Sequence, residues 1–236
     1  MARTRSAGYD DQLEQILAAA ARLFATRGYT ATTMNDVAAA CGVSKATLYH
    51  YVRDKHGLLA HITAGHVARL EALVREVAAR PLAPAERLRE LVLRFMQAYA
   101  SAQDQHRVLT EDVKFLGEAE RARVLDAQRR VVAAVADALA DLRPDLGAAR
   151  LHKPLALLLF GMINWTFTWL RAGGTLTHET LAPMVVDLFF GGLPAVAPPA
   201  PGPGRPAPLR GGECTGAPEP GPRPARAATP RRRRPG

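Results

Sequence analysis

The chain has 236 residues, 48% of them hydrophobic and 22% charged, a composition typical of one globular domain, alone or with a small module. Its two cysteines, Cys41 and Cys214, exclude a disulfide framework or a thiolate metal cluster. The formal net charge is +9, but eight Arg and two Glu give residues 194–236 a charge of +6, which leaves +3 for the rest. The total charge is therefore no proof of nucleic-acid binding.

Apolar residues recur at helical spacing through residues 1–193, and no stretch alternates with the period of two that is typical of strands. The pattern predicts an all-α fold of about nine helices. The first ends near Arg27, two short ones follow Thr33 and Ser44, and another starts near Pro84. The remaining predicted helices span about 54–80, 104–116, 118–142, 149–171 and 178–191.

One apolar segment and the N-terminus bear on the location of the protein. Residues 155–170 carry no charge, but the run is shorter than the roughly 20 residues of a membrane span and contains Asn164. It is expected to be a core or subunit-interface helix rather than a membrane span. The residues after Met1 lack the apolar core of a signal peptide, so a cytoplasmic location is expected.

Residues 194–236 differ in composition from the rest of the chain. They hold 13 of the 18 prolines and few apolar residues, and this composition predicts a disordered tail. The run Arg231–Arg234 has two interpretations, a loose contact with phosphates and a solvated terminus without a role.

Residues 32–55 have the pattern of a helix-turn-helix. Thr33 is suited to cap a short helix, and Asp36 falls at the positive end of that helix. Gly42 permits a left-handed turn, and Ser44 is suited to cap a second helix over about 45–51. A helical hairpin that serves packing alone is the alternative, but successive caps around a glycine turn favour a helix-turn-helix.

The second helix of this pair has side chains that suit DNA. Small side chains in its first turn let the backbone approach base edges, and phenol and imidazole groups in its last turn are able to donate to phosphates. Leu48 is the expected inward anchor. The candidate contacts in this helix are Lys45, Ala46, Thr47, Tyr49, His50 and Tyr51.

Two runs in this part of the chain, ARLFATRGYTATTMNDVA (21–38) and GVSKATLYHYVRDK (42–55), resemble the DNA-binding domain of TetR/AcrR-family transcriptional regulators. The resemblance implies a homodimer whose first three helices bind double-stranded operator DNA. It divides the chain into a DNA-binding domain (1–53), a ligand-binding and dimerisation domain (54–193) and the tail (194–236). It also implies repression that a small-molecule inducer relieves.

The same resemblance implies roles for particular residues. The last two helices pair across the dimer as a four-helix bundle, through the apolar run near 149–171 and a stripe in the final helix. That stripe consists of Leu181, Val185, Leu188 and Phe189. The implied DNA contacts are Thr33, Ser44, Lys45, Thr47, Tyr49, His50 and Lys55.

Large apolar side chains interspersed with a few polar ones make up a candidate ligand pocket. Plain core or dimer seam is the alternative for each of them. Residues 161–169 are similar to a stretch in family members that sense acyl-coenzyme A thioesters, so an acyl-coenzyme A or another hydrophobic compound is the candidate ligand. The candidate pocket residues are Phe95, Met96, Tyr99, Phe115, Leu116, Met162, Asn164, Trp165, Phe167, Thr168 and Trp169.

The sequence gives little support to catalysis or metal binding, and no cofactor is expected. The motifs GxSxG, GxGxxG and the P-loop are absent from the sequence. His56, His61 and His66 are spaced five apart on one predicted helix, so they point in different directions and are interpreted as surface residues. Two hypotheses remain: a ligand-responsive dimeric transcription factor, and a small-molecule-binding helical protein without specific operator binding.

Overall fold

The computed structural model describes residues 7–170 and 174–197. In those ranges the regular structure is helical, which confirms the predicted fold class, and the α-helices follow the predicted order. They are α1 (Ala7–Arg27), α2 (Met34–Cys41), α3 (Lys45–Tyr51), α4 (Lys55–Ala78), α5 (Pro84–Ser101), α6 (Gln103–Glu111), α7 (Glu118–Leu142), α8 (His152–Asn164) and α9 (His178–Gly192).

Two of the predicted helices are shorter than the sequence indicated. The helix predicted over 104–116 ends at Glu111, and a 3-10 turn, Val113–Phe115, follows it. The helix predicted over 149–171 begins only at His152, because Arg150 has a φ of 54°, which no right-handed helix accommodates. It ends at Asn164 and continues as a 3-10 turn, Trp165–Thr168.

Local sequence explains where the N-terminal helices begin and end. Gly28, with a φ of 89°, ends α1, and its N–H donates to the carbonyl oxygen of Phe24 (2.9 Å). Asp54 caps α4 by accepting a hydrogen bond from the backbone N–H of Gly57 (2.7 Å). The cap at Asp54 fixes the start of α4, which follows the helix-turn-helix and runs to Ala78.

Buried apolar side chains form two clusters. The first, the N-terminal core, joins α1–α3 and the first half of α4, and it also takes in Val108 and Leu109 of α6 and Val124 of α7. The second joins the rest of α4 and α7 with α5, α8 and α9. The packing therefore does not follow the predicted boundary after residue 53, because α6 and the start of α7 are part of the N-terminal core.

The C-terminal end of the described chain is ordered beyond the predicted start of the tail. Residues Leu193–Ala195 form a 3-10 turn, and Leu193 is buried. Arg143, the residue after α7, holds this turn by donating to the carbonyl oxygens of Leu193 (2.5 Å) and Val196 (3.0 Å). The predicted disorder from residue 194 is therefore wrong for 194–196, and the predicted tail from 198 onward lies outside the described residues.

Candidate nucleic-acid interface and ligand cavity

Helices α2 and α3 form the predicted helix-turn-helix. Thr33 and Asp36 bond reciprocally at the start of α2: Thr33 Oγ1 accepts from the N–H of Asp36 (3.2 Å), and the N–H of Thr33 donates to Asp36 Oδ2 (2.8 Å). The Thr33 hydroxyl also donates to Asp36 Oδ2 (2.6 Å), and the hydroxyl and the N–H of Thr33 together hold the pKa of Asp36 below its usual value. Gly42 follows α2 with a φ of 66°, and this left-handed residue turns the chain toward α3.

Helix α3 is fixed by its cap and by one buried face. Ser44 Oγ accepts a hydrogen bond from the N–H of Thr47 (3.0 Å). Leu48 is fully buried in the N-terminal core, and Val52 is buried just after the helix. A seven-residue helix is marginal in isolation, so this anchoring is what stabilises it.

The opposite face of α3 is open to solvent. Tyr49 is 45% exposed, and Lys45 Nζ lies 5.9 Å from the centroid of its ring, which lets the two side chains act together on a phosphate. The predicted DNA-contact residues exposed in this segment are Thr33, Ser44, Lys45, Ala46, Thr47, Tyr49 and His50. This exposed set and the positive N-terminal ends of α2 and α3 are suited to an acidic, groove-shaped partner.

Two predicted DNA contacts have other partners. Tyr51 is half-buried, and its ring stacks on Tyr9 of α1 with centroids 4.6 Å apart. Lys55 Nζ donates to the carbonyl oxygens of Tyr29 (2.9 Å), Thr30 (3.3 Å) and Thr32 (2.9 Å). Because an ammonium has three donors and all three are used, Lys55 ties α4 to the α1–α2 turn.

A cavity of about 250 Å³ opens between α4, α5, α6, α7 and α8. Val67, Leu109, Val131 and Phe160 supply apolar walls, and Leu157 is part of its lining while remaining 51% exposed. Leu157 therefore marks the side from which the cavity meets solvent.

The polar part of this cavity comes from α5, α6, α8 and, through Gln128, α7. The Tyr99 hydroxyl donates to Asn164 Oδ1 (2.7 Å), and its ring stacks on His106 with centroids 3.8 Å apart. His106 Nδ1 lies 3.3 Å from Nε2 of His66, on α4. Both histidines are buried, so the sequence interpretation of His66 as a surface residue is wrong. The sequence missed this pair because its members are 40 positions apart.

Burial sets the protonation states in the cavity. It lowers the pKa of His66 to about 3, with the neighbouring His106 adding to the effect, and it lowers the pKa of His106 to about 4. Burial also raises the pKa of Tyr99. Near neutral pH all three groups are therefore uncharged.

The cavity takes in only part of the predicted pocket set. Tyr99 and Asn164 line it, whereas Phe95, whose ring contacts Phe160, and Met96 are buried in the second core. The other predicted residues are absent from its lining. Phe115 stacks on Tyr29, Leu116 is in the N-terminal core, and the ring of Phe167 contacts His106 edge-on. Thr168 donates to the carbonyl oxygen of Trp165, and the remaining three, Met162, Trp165 and Trp169, are exposed.

Met162, one of the exposed residues of that set, lies on a surface shared by α8 and α9. Leu158 is 65% and Leu188 70% exposed, and both line, with Met162, a shallow depression of about 340 Å³. We call Leu158, Met162, Trp165, Met184 and Leu188 the α8–α9 face. The predicted stripe of α9 divides, because Val185 and Phe189 are buried in the second core while Leu188 points outward.

The described ranges also bear on metal binding and on membrane insertion. They contain no group of three or more His, Cys, Asp or Glu side chains placed to hold a metal ion. Helices long and apolar enough to cross a membrane are likewise not found there.

His56 and His61, the other two histidines of α4, have different surroundings. His56 accepts a hydrogen bond at Nε2 from the N–H of Gly117 (2.8 Å), and His61 is exposed.

Family models match two parts of the chain. The model described as bacterial regulatory proteins, tetR family, matches residues 16–62, and the tetracyclin repressor-like C-terminal domain matches residues 81–193. Among curated proteins, the transcriptional repressor KstR2 of Rhodococcus jostii is 27% identical over 191 residues, which cover 80% of this chain and 94% of KstR2.

Solved structures are also similar to the chain. A TetR-family transcriptional regulator from Bordetella parapertussis superposes with a TM-score of 0.72 at 36% identity, covering 82% of this chain and 99% of that one. AibR in complex with isovaleryl coenzyme A and operator DNA superposes with a TM-score of 0.66 at 27% identity, covering 75% of this chain and 97% of AibR.

Proposed function

The chain belongs to the TetR family of DNA-binding transcriptional regulators, and we propose that it is a dimeric repressor that a small, mostly apolar ligand releases from a palindromic operator. The observation that carries the proposal is the capped helix α3, which Leu48 anchors while Lys45, Thr47 and Tyr49 stay exposed. A rigid short helix with an exposed polar face is what insertion into a major groove requires.

Within this function we assign the exposed residues of α3 to two tasks. Ala46 and Thr47, in the first turn, face base edges, because small side chains there let the helix approach the groove floor. Lys45, Tyr49 and His50 bind phosphates, with Thr33 and Ser44 at the helix starts beside them. Tyr51 and Lys55 position α3 and α4 and do not touch DNA.

The α8–α9 face is the proposed dimer interface. Large apolar side chains that are two-thirds exposed on one surface favour association with a matching surface, and a two-fold axis supplies that match from a second copy. A two-fold dimer presents two copies of α3, so the operator has two half-sites related by symmetry.

The cavity beneath Leu157 is the proposed ligand site. Its helix α6 packs on α1 and is part of the N-terminal core, so a ligand that alters the position of α6 also alters the support of the helix-turn-helix. The similar protein AibR binds isovaleryl coenzyme A, and an acyl-coenzyme A is accordingly the ligand class we propose to test first. As a regulator of bacterial genes, the protein is proposed to act in the cytoplasm.

A binding assay on DNA tests the function. The intergenic DNA beside the gene of this protein is titrated at several salt concentrations, with random-sequence DNA as the control. We expect affinity for one site in that region to exceed affinity for random DNA by about 10³ or more. Equal affinity for both DNAs would favour the other hypothesis, a ligand-binding helical protein without an operator.

A further inference from the structure

The first turn of α1 packs against the last turn of α3. The ring of Tyr9 stacks on Tyr51 with centroids 4.6 Å apart, and it meets the ring of His50 edge-on at 6.1 Å. His50 is exposed and is one of the residues that we assign to phosphates. When α3 lies in the major groove, the first turn of α1 therefore lies beside the phosphate backbone that borders this groove.

The chain ahead of this turn is basic. We call residues 1–6 the N-terminal segment; it precedes the described residues and contains Arg3 and Arg5 but no Asp or Glu. Asp10 and Asp11 follow Tyr9 directly and are exposed, so they would repel a phosphate brought against the side of α1. The positive side chains at this end of α1 are therefore those of the segment before the helix.

The N-terminal segment is long enough to cross a phosphate backbone. Arg5 is two residues and Arg3 four residues before Ala7, where α1 begins. Four extended residues span up to about 13–14 Å, whereas the minor groove on the other side of the phosphate backbone is about 6 Å wide. Arginine is suited to that groove, because a narrow, A·T-rich minor groove has an enhanced negative potential. The basic arm that precedes the helices of a homeodomain enters a minor groove in this way.

We propose that Arg3 and Arg5 bind the minor groove beside each half-site, and that Tyr51 is the positioning residue that holds the start of α1 there through Tyr9. The proposal rests on the DNA-binding function above and adds a second contact to that of α3. The base pairs next to a half-site are then read through the width and A·T content of their minor groove. This preference is separate from the one that α3 determines in the major groove.

Hydroxyl-radical footprinting of the full-length protein tests the contact directly, because these radicals attack the sugars that line the minor groove. The DNA is the operator that the titration of the intergenic region identifies. We expect the wild type to protect a stretch of minor groove next to each half-site. The double variant Arg3→Ala, Arg5→Ala is expected to lose this protection and to keep the rest of the footprint. Both replacements precede α1, so the variant is expected to fold normally.

Salt titrations measure the charge that the N-terminal segment contributes. We expect the double variant to bind the operator about tenfold more weakly than the wild type. The slope of log affinity against log salt concentration is expected to fall by about one unit for each arginine contact that is lost. The control, Arg75→Ala combined with Arg129→Ala, removes two exposed arginines from the parts of α4 and α7 beside the second core. It is expected to change neither quantity.

A change in the DNA tests the minor-groove preference. G·C pairs replace the A·T pairs next to each half-site, and the half-sites themselves are kept. We expect this change to weaken binding by the wild type and by the control variant, but to have little effect on Arg3→Ala, Arg5→Ala. Equal weakening of all three proteins would mean that the arginines do not read the flanking groove.

A double-mutant cycle tests the positioning role of Tyr51. Tyr51→Leu removes the ring that stacks on Tyr9, whereas Tyr51→Phe keeps a ring there. We expect the two arginine replacements to cost less affinity in the Tyr51→Leu background than in the wild type, and an equal amount in the Tyr51→Phe background. Tyr9→Leu removes the same stack from the other side and is used if Tyr51→Leu does not fold. An equal cost in every background would overturn the positioning role.

The remaining outcomes separate this inference from the proposed function. An operator that the wild type binds specifically, and that Arg3→Ala, Arg5→Ala binds with the same affinity and footprint, would overturn the inference and leave the function standing. A lower salt slope with an unchanged footprint would assign the arginines to phosphates, and the minor-groove contact would then be wrong. Absence of any specific site for the wild type would contradict the proposed function, and this inference with it.

Discussion

The ring of Phe115 stacks on the ring of Tyr29, with centroids 5.1 Å apart and 23° between the ring planes. Phe115 lies in the 3-10 turn after α6, and Tyr29 lies in the turn between α1 and α2. The carbonyl oxygen of Tyr29 accepts a hydrogen bond from Lys55, at the start of α4. The stack thus connects α6, which carries His106, with the turn that supports the helix-turn-helix.

A double-mutant cycle on the stability of the protein measures this connection. We expect Tyr29→Leu and Phe115→Leu to interact by about 0.5–1.5 kcal/mol, because offset aromatic pairs contribute that much beyond their buried area. The free energy of unfolding is measured by urea denaturation. Phe115→Leu combined with Phe189→Leu, in the second core, is the control pair and is expected to be additive. Additivity of the Tyr29–Phe115 pair would show that the stack carries no coupling.

Replacement of two lysines distinguishes a structural cation from a DNA-binding one. Lys55→Met removes a charged donor from three carbonyl oxygens, so we expect the free energy of unfolding to fall by about 1.5–3 kcal/mol. Lys45→Met removes the same charge from an exposed side chain, and stability is expected to change by less than about 0.5 kcal/mol. Lys45→Met is therefore expected to fold normally and to reduce, by about one unit, the slope of log affinity for DNA against log salt concentration. Unchanged stability of Lys55→Met would contradict its structural role.

Two substitutions in α3 separate base contacts from phosphate contacts. Tyr49→Ala is expected to weaken binding to all DNA sequences alike, because a phosphate contact carries no sequence information. Thr47→Ala is expected to change the preference for bases within a half-site, with an effect of about 1–3 kcal/mol at one position. Competition binding to a set of single-base operator variants measures both. A selective loss by Tyr49→Ala at one base pair would reverse its assignment.

Sequence reasoning succeeded where the signal was local. Thr33, Gly42 and Ser44 lie within a few residues of the backbone they cap or turn, so their spacing predicted the helix-turn-helix. The sequence did not predict contacts between segments that are distant along the chain. The three carbonyl oxygens bound by Lys55 are 23 to 26 positions away, and His66 and His106 meet across 40 positions.

The division of the apolar residues between core, cavity and surface was also beyond the sequence. Phe95 and Met162 are both apolar residues on amphipathic helices, and either suits a core, a pocket or an interface. Only the packing separates them, since Phe95 is buried beside Phe160 and Met162 is part of the α8–α9 face. The same holds for Val185 and Leu188, which lie one helical turn apart on α9 but are 5% and 70% exposed.

The α8–α9 face makes a prediction about assembly. Leu188→Glu places a charge at the centre of a surface that dimerisation would bury, and an unpaired buried charge costs several kcal/mol. We expect this variant to sediment as a monomer at concentrations at which the wild type is a dimer, and to lose operator binding. Ala133→Glu, an exposed position on α7, adds the same charge and is expected to leave the dimer intact. A dimeric Leu188→Glu variant would move the interface elsewhere.

The buried histidines predict how stability depends on pH. Burial lowers the pKa of His66 to about 3 and that of His106 to about 4, from a usual value of 6.5. These values include the effects of neighbours: His106 and Arg69 lower the pKa of His66, whereas for His106 a hydrogen bond with the backbone of Asn164 raises the pKa and His178 lowers it. Burial also lowers the pKa of His178. Below pH 6.5 the unfolded chain therefore binds more protons than the folded one, so the free energy of unfolding decreases as the pH is lowered.

Each buried histidine is expected to contribute up to about 1.4 kcal/mol per pH unit below pH 6.5. Urea denaturation between pH 7 and pH 5 measures how steeply the free energy of unfolding depends on pH. Carboxylates whose pKa values are lowered, such as Asp36 and Glu76, lose their stabilising charge only below this range. The double variant His66→Gln, His106→Gln is expected to reduce the slope, and His61→Gln is expected to leave it unchanged because His61 is exposed. A slope unaffected by the double variant would mean that the two imidazoles are accessible to protons in the folded protein, and the neutral cavity would then be wrong as well.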